Sequence, residues 1–159
     1  MRFYSHIAFG LFFSALLFTP FELLPFLFVV IGCLLPDIDY PFSLAGKVFP
    51  GLSEKFYKWF GHRSLTHSAY FVIGLIVIAF IFPNNPLVYA FIIGYISHLL
   101  TDLYTPSGVQ LFYPLNYSFT IFDGGIKTGS KKEWLFAGLS AVGFVLLLFF
   151  RSAFYSLIL

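Results

Sequence analysis

Charge is what this chain most lacks. Only 10% of its 159 residues are Asp, Glu, Lys or Arg, against roughly a quarter in a soluble domain, while 59% are hydrophobic. A soluble fold of this size has too little interior to hide that much apolar surface. Composition therefore excludes the soluble class and points to an integral membrane protein. Thiols are almost missing too. Cys33 is the sole cysteine, which excludes an internal disulfide and any thiolate-cluster metal site. It lies within an apolar run and is expected to be a small buried or lipid-facing residue. The net charge of +2 is too small to indicate a nucleic-acid partner. The first apolar segment lacks a small-x-small cleavage site and runs on as "FTPFELLPF", so it is expected to be retained. Internal repeats and low-complexity tails are absent, and the length suits a single domain over 1–159.

What the chain does have is apolar runs. Five stand out, at 5–19, 22–36, 69–82, 86–104 and 134–150. Each is near or slightly below the roughly 20 residues that cross a bilayer as a helix, and local thinning or aromatic ends can accommodate the shorter ones. The expected fold is all-α, a polytopic transmembrane helical bundle with about five membrane segments. "TPFE" (19–22) and "PNNP" (83–86) read as tight turns, pairing the first four segments into helical hairpins. Two longer connections, 37–68 and 105–133, carry Lys47, Lys55, Lys58, Arg63, Lys127, Lys131 and Lys132. Arg2 joins them on one side if all five segments cross, and Arg151 ends the last helix. The positive-inside rule then puts the N-terminus and both long loops in the cytoplasm, in a multi-pass protein of the cell (inner) membrane.

On this topology the ionisable residues converge. His6 opens the first helix, Asp37 and Asp39 in "LLPDIDY" close the second, His62 and His67 precede or begin the third, and His98 and Asp102 lie in the last turns of the fourth. An up-down order brings all seven to one depth, near the cytoplasmic interface. Ionisable groups beside hydrocarbon are costly and usually functional. His98 and Asp102 stand four apart and share a helix face. His62 and His67 are five apart, so His62 is placed in the loop and His67 in the first helical turn, with Ser64 or Thr66 capping.

Singly, each of these has a plain structural explanation: a helix-surface hydrogen bond, a solvated turn, a cap. Together, imidazoles and carboxylates without thiolate fit zinc or another divalent first-row ion. Seven candidates exceed the three or four ligands of one zinc, which leaves room for a two- or three-metal cluster with some of them orienting the ligands. Arg63 beside such a cluster suits phosphate oxygens, and it equally suits a positive-inside anchor. A bound metal would activate water, with Asp37 or Asp39 orienting it as base. The segment 105–119 mixes turn residues with Leu, Phe and Tyr and is expected to lie in the interface, lining an entrance for an amphiphilic substrate. "FDGGIKTGSKKEW" reads as a flexible basic loop whose Gly pair forms no phosphate-binding motif, and no serine-hydrolase motif accompanies Ser68 or Ser97.

"HIAFG" at 6–10, "PDIDY" at 36–40, "GHRSLTHS" at 61–68 and "SHLLTDLYTPSGVQLFYPL" at 97–115 together resemble the bacterial and archaeal family of small inner-membrane proteins known as membrane-bound metal-dependent hydrolases. Some of its members belong to the LexA-controlled DNA-damage regulon. That family is distantly similar to the zinc-dependent phospholipase C and nuclease P1 group. The resemblance runs from residue 1 to about residue 150, with the motifs in family order. It implies metal ligands at His6, Asp37 or Asp39, His62, His67, His98 and Asp102. The soluble enzymes use a free N-terminal amine and a second His-x3-Asp pair. This chain has one such pair, at 98 and 102, and begins five residues before His6, so the resemblance implies one or two ions, zinc or another divalent metal.

The expected function is hydrolysis of a phosphoester, of a phospholipid or a lipid-linked phosphate, by metal-activated water at a site facing the bilayer. Two rivals carry different expectations. A non-catalytic metal-binding membrane protein would share every ligand. An ion transporter would continue polar residues across the later helices, and apart from Ser and Gly these do not.

Overall fold

The structure is a computed structural model that describes residues 1–17, 22–122 and 124–158. Among them are seven α-helices: α1 (Phe3–Leu17), α2 (Leu23–Leu34), α3 (Leu44–Val48), α4 (Pro50–Phe60), α5 (Ala69–Ile81), α6 (Pro86–Leu103) and α7 (Lys131–Ile158). Two 3-10 turns, Leu35–Asp39 and Leu65–His67, complete the regular structure. The nearest approach to a sheet is one antiparallel bridge, Val109 to Phe119. The all-α expectation agrees with this. By length and apolarity, two helices can cross a membrane: α6, and α7 over Lys131–Ala153. The helix α1 has 15 residues and α5 has 13, about 22 and 20 Å at 1.5 Å per residue, short of a hydrocarbon core of roughly 30 Å.

Local chemistry sets the helix ends. Pro36 lacks an N–H and fixes φ, so α2 tightens at Leu35 into the 3-10 turn that carries Asp37 and Asp39. Asn85 caps α6, its side chain accepting from the Leu87 and Val88 amides at 3.0 and 3.4 Å, with Pro86 at the first helical position. Asn84 takes a positive φ there, as the "PNNP" turn requires. In the other proposed turn, "TPFE", residues 19–21 lie outside the described residues.

Helix α6 is central, in contact with α1, α2 and α5, and α1 also packs on α2 and α7. The closest pair is α2 with α6 because glycines face each other's backbone. A Cβ on Gly94 would overlap the Val29 carbonyl, and one on Gly32 would overlap that of Phe91. Small residues allow close helix approach, as is usual where lipid supplies no hydrophobic drive between helices. Gly94→Ala is therefore expected to cost about 1–3 kcal/mol, seen as a lower thermal midpoint in detergent. An unchanged midpoint would mean that the two backbones are not in contact. Cys33 is fully buried with Val29 and Ala90 in this seam, while Tyr95 stacks on Phe71 at 5.2 Å and packs with Leu75, Ile92 and Leu99. The outer faces of α5 and α7 leave large aliphatic and aromatic side chains exposed, an apolar surface of the kind that marks a membrane or protein contact.

The connections differ from expectation in three ways. The 37–68 segment is not plain loop but holds α3 and α4. Helix α4 is amphipathic, and its alternation of Lys with Leu, Phe and Trp never forms an apolar run, so a search for lipid-like stretches passes over it. Neither Ser64 nor Thr66 caps α5. The Ser64 hydroxyl donates to the Gly61 carbonyl at 3.0 Å, Thr66 donates to Asp39 at 2.6 Å, and Ser68 is the N-cap residue without a side-chain cap bond. Finally, 105–119 folds back over the 63–69 segment through Gln110 N–H to the Arg63 carbonyl (3.2 Å) and Ala69 N–H to the Leu111 carbonyl (2.8 Å).

Candidate metal centre

All four histidines and three of the aspartates meet at one end of the helices. His6, His67, His98 and Asp102 are fully buried and Asp39 is 1% exposed. The hydrogen-bond partners assign each imidazole's tautomer. The His98 Nδ1–H donates to the Cys33 carbonyl at 2.6 Å. The Thr101 hydroxyl gives its proton to the His98 carbonyl at 2.8 Å, so the 2.6 Å contact between His6 Nδ1 and Thr101 Oγ1 has the imidazole as donor. Asp39 accepts from His62 Nδ1 at 2.8 Å and faces His67 Nδ1 at 3.3 Å. With Nδ1 engaged outward in all four rings, Nε2 is the atom that faces inward for a metal, the arrangement that outer partners impose on metal-ligating histidine.

Those inward atoms converge. His67 Nε2 stands 3.2 Å from His98 Nε2. Asp37 Oδ1 lies 3.8 Å from His67 Nε2 and 3.5 Å from that of His98, and Asp102 Oδ2 lies 3.6 and 3.7 Å from the same two nitrogens. Ligands of one tetrahedral zinc at 2.0–2.2 Å stand roughly 3.3–3.6 Å apart. In the metal-free chain the 3.2 Å contact between the two Nε2 atoms is a hydrogen bond through one shared proton, whose place a cation would take. Asp102 Oδ2 and His6 Nε2 are moreover buried without a hydrogen-bond partner, a costly state that a bound cation would relieve. The residues present thus fit a divalent metal, with Asp37, His67, His98 and Asp102 as one possible ligand group and Asp37, Asp39 and His62 as another. His6 stands beside the first group, its ring stacked on His98 at 3.7 Å and its Nε2 3.6 Å from Asp102 Oδ1.

The two early aspartates have different surroundings. Both oxygens of Asp39 are used: His62 takes one, and the Arg63 amide (2.9 Å), Thr66 hydroxyl (2.6 Å) and His67 take the other. Asp37 keeps 17% of its side chain exposed and lines a cavity of about 720 Å³ together with His62 and Arg63. Burial alone would raise both carboxyls. The charge and hydrogen bond of His98, with His6 and His67 nearby, hold Asp37 well below the usual carboxylate range instead, and hydrogen bonds from His62 and His67 do the same for Asp39.

Arg63, at φ 61, is largely committed to its own chain. One guanidinium nitrogen pairs with Asp102 Oδ1 at 2.8 Å. The other donates to Thr105 at 2.9 Å, to Ser107 and to the Gly108 carbonyl. The Met1 amine also pairs with Asp102 Oδ1, which leaves Oδ2 as that carboxylate's open atom.

Several residues of this centre carried no signal in the sequence. Thr101 orients His6, Thr66 braces Asp39, and Tyr95 donates to the Thr66 carbonyl. Glu133 accepts from the Arg2 amide (2.5 Å), the Ser5 hydroxyl (2.9 Å) and the Gly129 amide (2.5 Å), tying the "KTGSKKEW" segment to the start of α1. Thr101 and Thr66 each adjoin a candidate ligand, the one cue available. Thr101→Val keeps the volume and removes the partner of His6. A zinc affinity lower by roughly 10–100-fold is expected, the usual cost of losing an outer partner, measured by competition with a chromophoric chelator. Unchanged affinity would place His6 outside the metal's reach.

An α-helical membrane protein with a metal-capable His/Asp centre at its helix ends is the class that fold and site define. Over residues 1–158 the chain matches the family model described as YdjM inner membrane protein, and it belongs to that family. It is 35% identical over 98 residues to "Inner membrane protein YdjM" of Escherichia coli (strain K12), 58% of this chain and 50% of that protein, with the same figures for the Shigella flexneri protein of that name. The match therefore spans about half the length of these relatives. It is also 35% identical over 114 residues to "Uncharacterized protein YvsG" of Bacillus subtilis (strain 168), 69% of each chain. No solved structure matches.

Proposed function

We propose that the chain is a metal-dependent hydrolase of the inner membrane that cleaves a phosphoester in an amphiphilic substrate, a phospholipid or lipid-linked phosphate. The observation that carries this is the adjacency of four converging ligand atoms to an open cavity lined by Asp37, His62 and Arg63. His67, His98, Asp37 and Asp102 would hold the first ion, zinc or another divalent metal, and His62 with Asp39 would border a second. A divalent ion at this place acidifies water and draws charge from a phosphoryl oxygen.

The chain's own groups divide the remaining work. Asp39, fully bonded, is a positioning residue that holds the His62 and His67 rings. Asp37, ionised and open to the cavity, would orient a water molecule and take its proton, and its exposed oxygen against the saturated Asp39 supports this reading. Arg63 pins Asp102 and lends positive charge to the cavity wall, where a phosphate would sit. The same proposal has all five apolar helices embedded in the bilayer, with the N-terminus and both long connections on the cytoplasmic side.

The test is turnover by purified protein in mixed micelles on a panel of phospholipids and lipid phosphates, with zinc and with chelator. Zinc-dependent release of a phosphate-bearing product is the expected result. Zinc binding with no turnover across the panel would leave a non-catalytic metal-binding protein and end the hydrolase proposal.

A further inference from the structure

Helix α4 has no place in the metal chemistry, yet it rests on the Leu35–Asp39 turn that carries Asp37 and Asp39. Its inward face is Ser53, buried, with Phe56 and Phe60, the latter edge-on to Tyr113 at 6.2 Å. A second stripe points away from the protein. Leu52 and Trp59, seven residues apart, share it, and Trp59 is 66% exposed. Val48 and Phe49, between α3 and α4, are exposed as well, and Phe42, at 75%, is the most exposed of these side chains. At 3.6 residues per turn Lys55 falls beside this stripe, Lys58 further round and Glu54 roughly opposite, and all three are exposed. At 11 residues, about 16 Å long, α4 is too short to span a bilayer and has the pattern of a helix lying in its surface.

This surface runs into the cavity. Phe42, Leu44 and Lys47 belong both to the exposed strip and to the cavity lining, with Phe3 and Arg2 across from them and Asp37 within. The 105–119 segment contributes Ser107, Gly108, Gln110 and Ser118 to the lining. The apolar lining comes from Met1, Phe3, Tyr40, Phe42 and Leu44, not from that segment's Leu111, Phe112 or Leu115.

We infer that α3 and α4 lie in the headgroup region of an anionic leaflet, and that Phe42, Leu44 and Lys47 form a side door through which a lipid with an anionic headgroup enters the cavity from the bilayer. The occupant is lipid on two grounds. The exposed apolar stripe belongs to a chain of an inner membrane family, and the neighbouring lysines complement anionic headgroups, with an exposed tryptophan, Trp59, of the kind enriched at membrane interfaces. What happens to the lipid inside rests on the proposed hydrolase. The door itself does not.

Two measurements on the full chain in phosphatidylcholine vesicles containing phosphatidylglycerol test this. In a Trp134→Phe background Trp59 is the sole tryptophan. Its fluorescence is expected to be quenched by brominated phosphatidylcholine and shielded from aqueous iodide. Second, phosphatidylglycerol carrying a diazirine in its acyl chain is expected to label residues 42–47 and Phe3. Unlabelled phosphatidylglycerol should compete, glycerol phosphate should not, and Lys47→Glu should lower labelling at least about fivefold, the factor set by one lysine's attraction to an anionic surface. Lys47 is exposed, so this variant keeps the fold. Iodide quenching of Trp59 without bromolipid quenching, or label spread over α5 and α7 and absent from 42–47, would overturn the inference. Labelling needs no turnover. Labelling without hydrolysis would sink the hydrolase alone, and hydrolysis of a soluble phosphodiester without labelling would sink the door alone.

Discussion

A His98→Ala chain is expected to bind zinc at least about 100-fold more weakly than the wild type, beyond the roughly 10–100-fold that an outer partner commands, and to lose with it the hydrolysis proposed above. The reason is geometric. His98 Nε2 is within 3.2–3.7 Å of His67, Asp37 and Asp102, and the ring is locked from behind by the Cys33 carbonyl and sandwiched against His6. Because the residue is fully buried, truncation also opens a cavity, so His98→Gln serves beside it. Glutamine keeps most of the volume and removes the imidazole lone pair. Chelator competition and thermal unfolding separate the two effects. If both variants fold and bind zinc as the wild type does, His98 is no ligand.

Asp39→Ala is expected to cost about 3–5 kcal/mol of stability, the scale for removing one partner of a buried charged network. Four donors point at this carboxylate, at 2.6–3.3 Å, from His62, Arg63, Thr66 and His67, and all four would lose their shared acceptor. The pH dependence follows from the direction of its shift. Burial alone would raise the carboxyl, and the His62 and His67 hydrogen bonds outweigh that and hold it low. A carboxyl lower in the folded than the unfolded chain contributes stability that is fully present above about pH 4. It is lost as pH falls through the folded value. In metal-free protein the wild type should therefore lose stability on acidification below about pH 4, and Asp39→Asn should lose less. Asp37 is shifted the same way, so the slope is reduced and not abolished. Denaturant midpoints at neutral and acid pH read this out, and equal acid losses in both chains would show that Asp39 is not held in its ionised form by the fold.

The convergence of the candidate ligands is legible because it needs only two facts visible in sequence: helices that alternate in direction, and His or Asp at the matching end of each. His98 and Asp102, four apart on one helix, required nothing more. Thr101, Thr66 and Tyr95 were not legible, since a hydroxyl in an apolar helix looks the same whether or not it bonds an imidazole across the bundle. Glu133 lies 131 residues from its Arg2 partner, a separation over which spacing says nothing, and so "FDGGIKTGSKKEW" was read as flexible where its end is tied to α1. The distinction between Asp37 and Asp39 depended on which carboxylate the 62–67 segment would saturate. That is decided by the turn at Gly61 and Arg63, both at positive φ. Helix α4 escaped notice because amphipathic surface helices interrupt their apolar residues with charge. The number of membrane crossings rests on runs of 12–15 residues in α1, α2 and α5, for which hydropathy alone does not distinguish a short span from a buried helix.

Imidazoles and carboxylates from separate helices and turns are expected to grip one cation. X-ray absorption at the zinc edge of the purified, zinc-loaded chain tests it most directly. The expected spectrum shows a first shell of nitrogen and oxygen at about 2.0–2.2 Å, with the outer scattering of at least two imidazoles and no sulfur. A sulfur shell, implicating Cys33, or a shell of oxygen alone would contradict it.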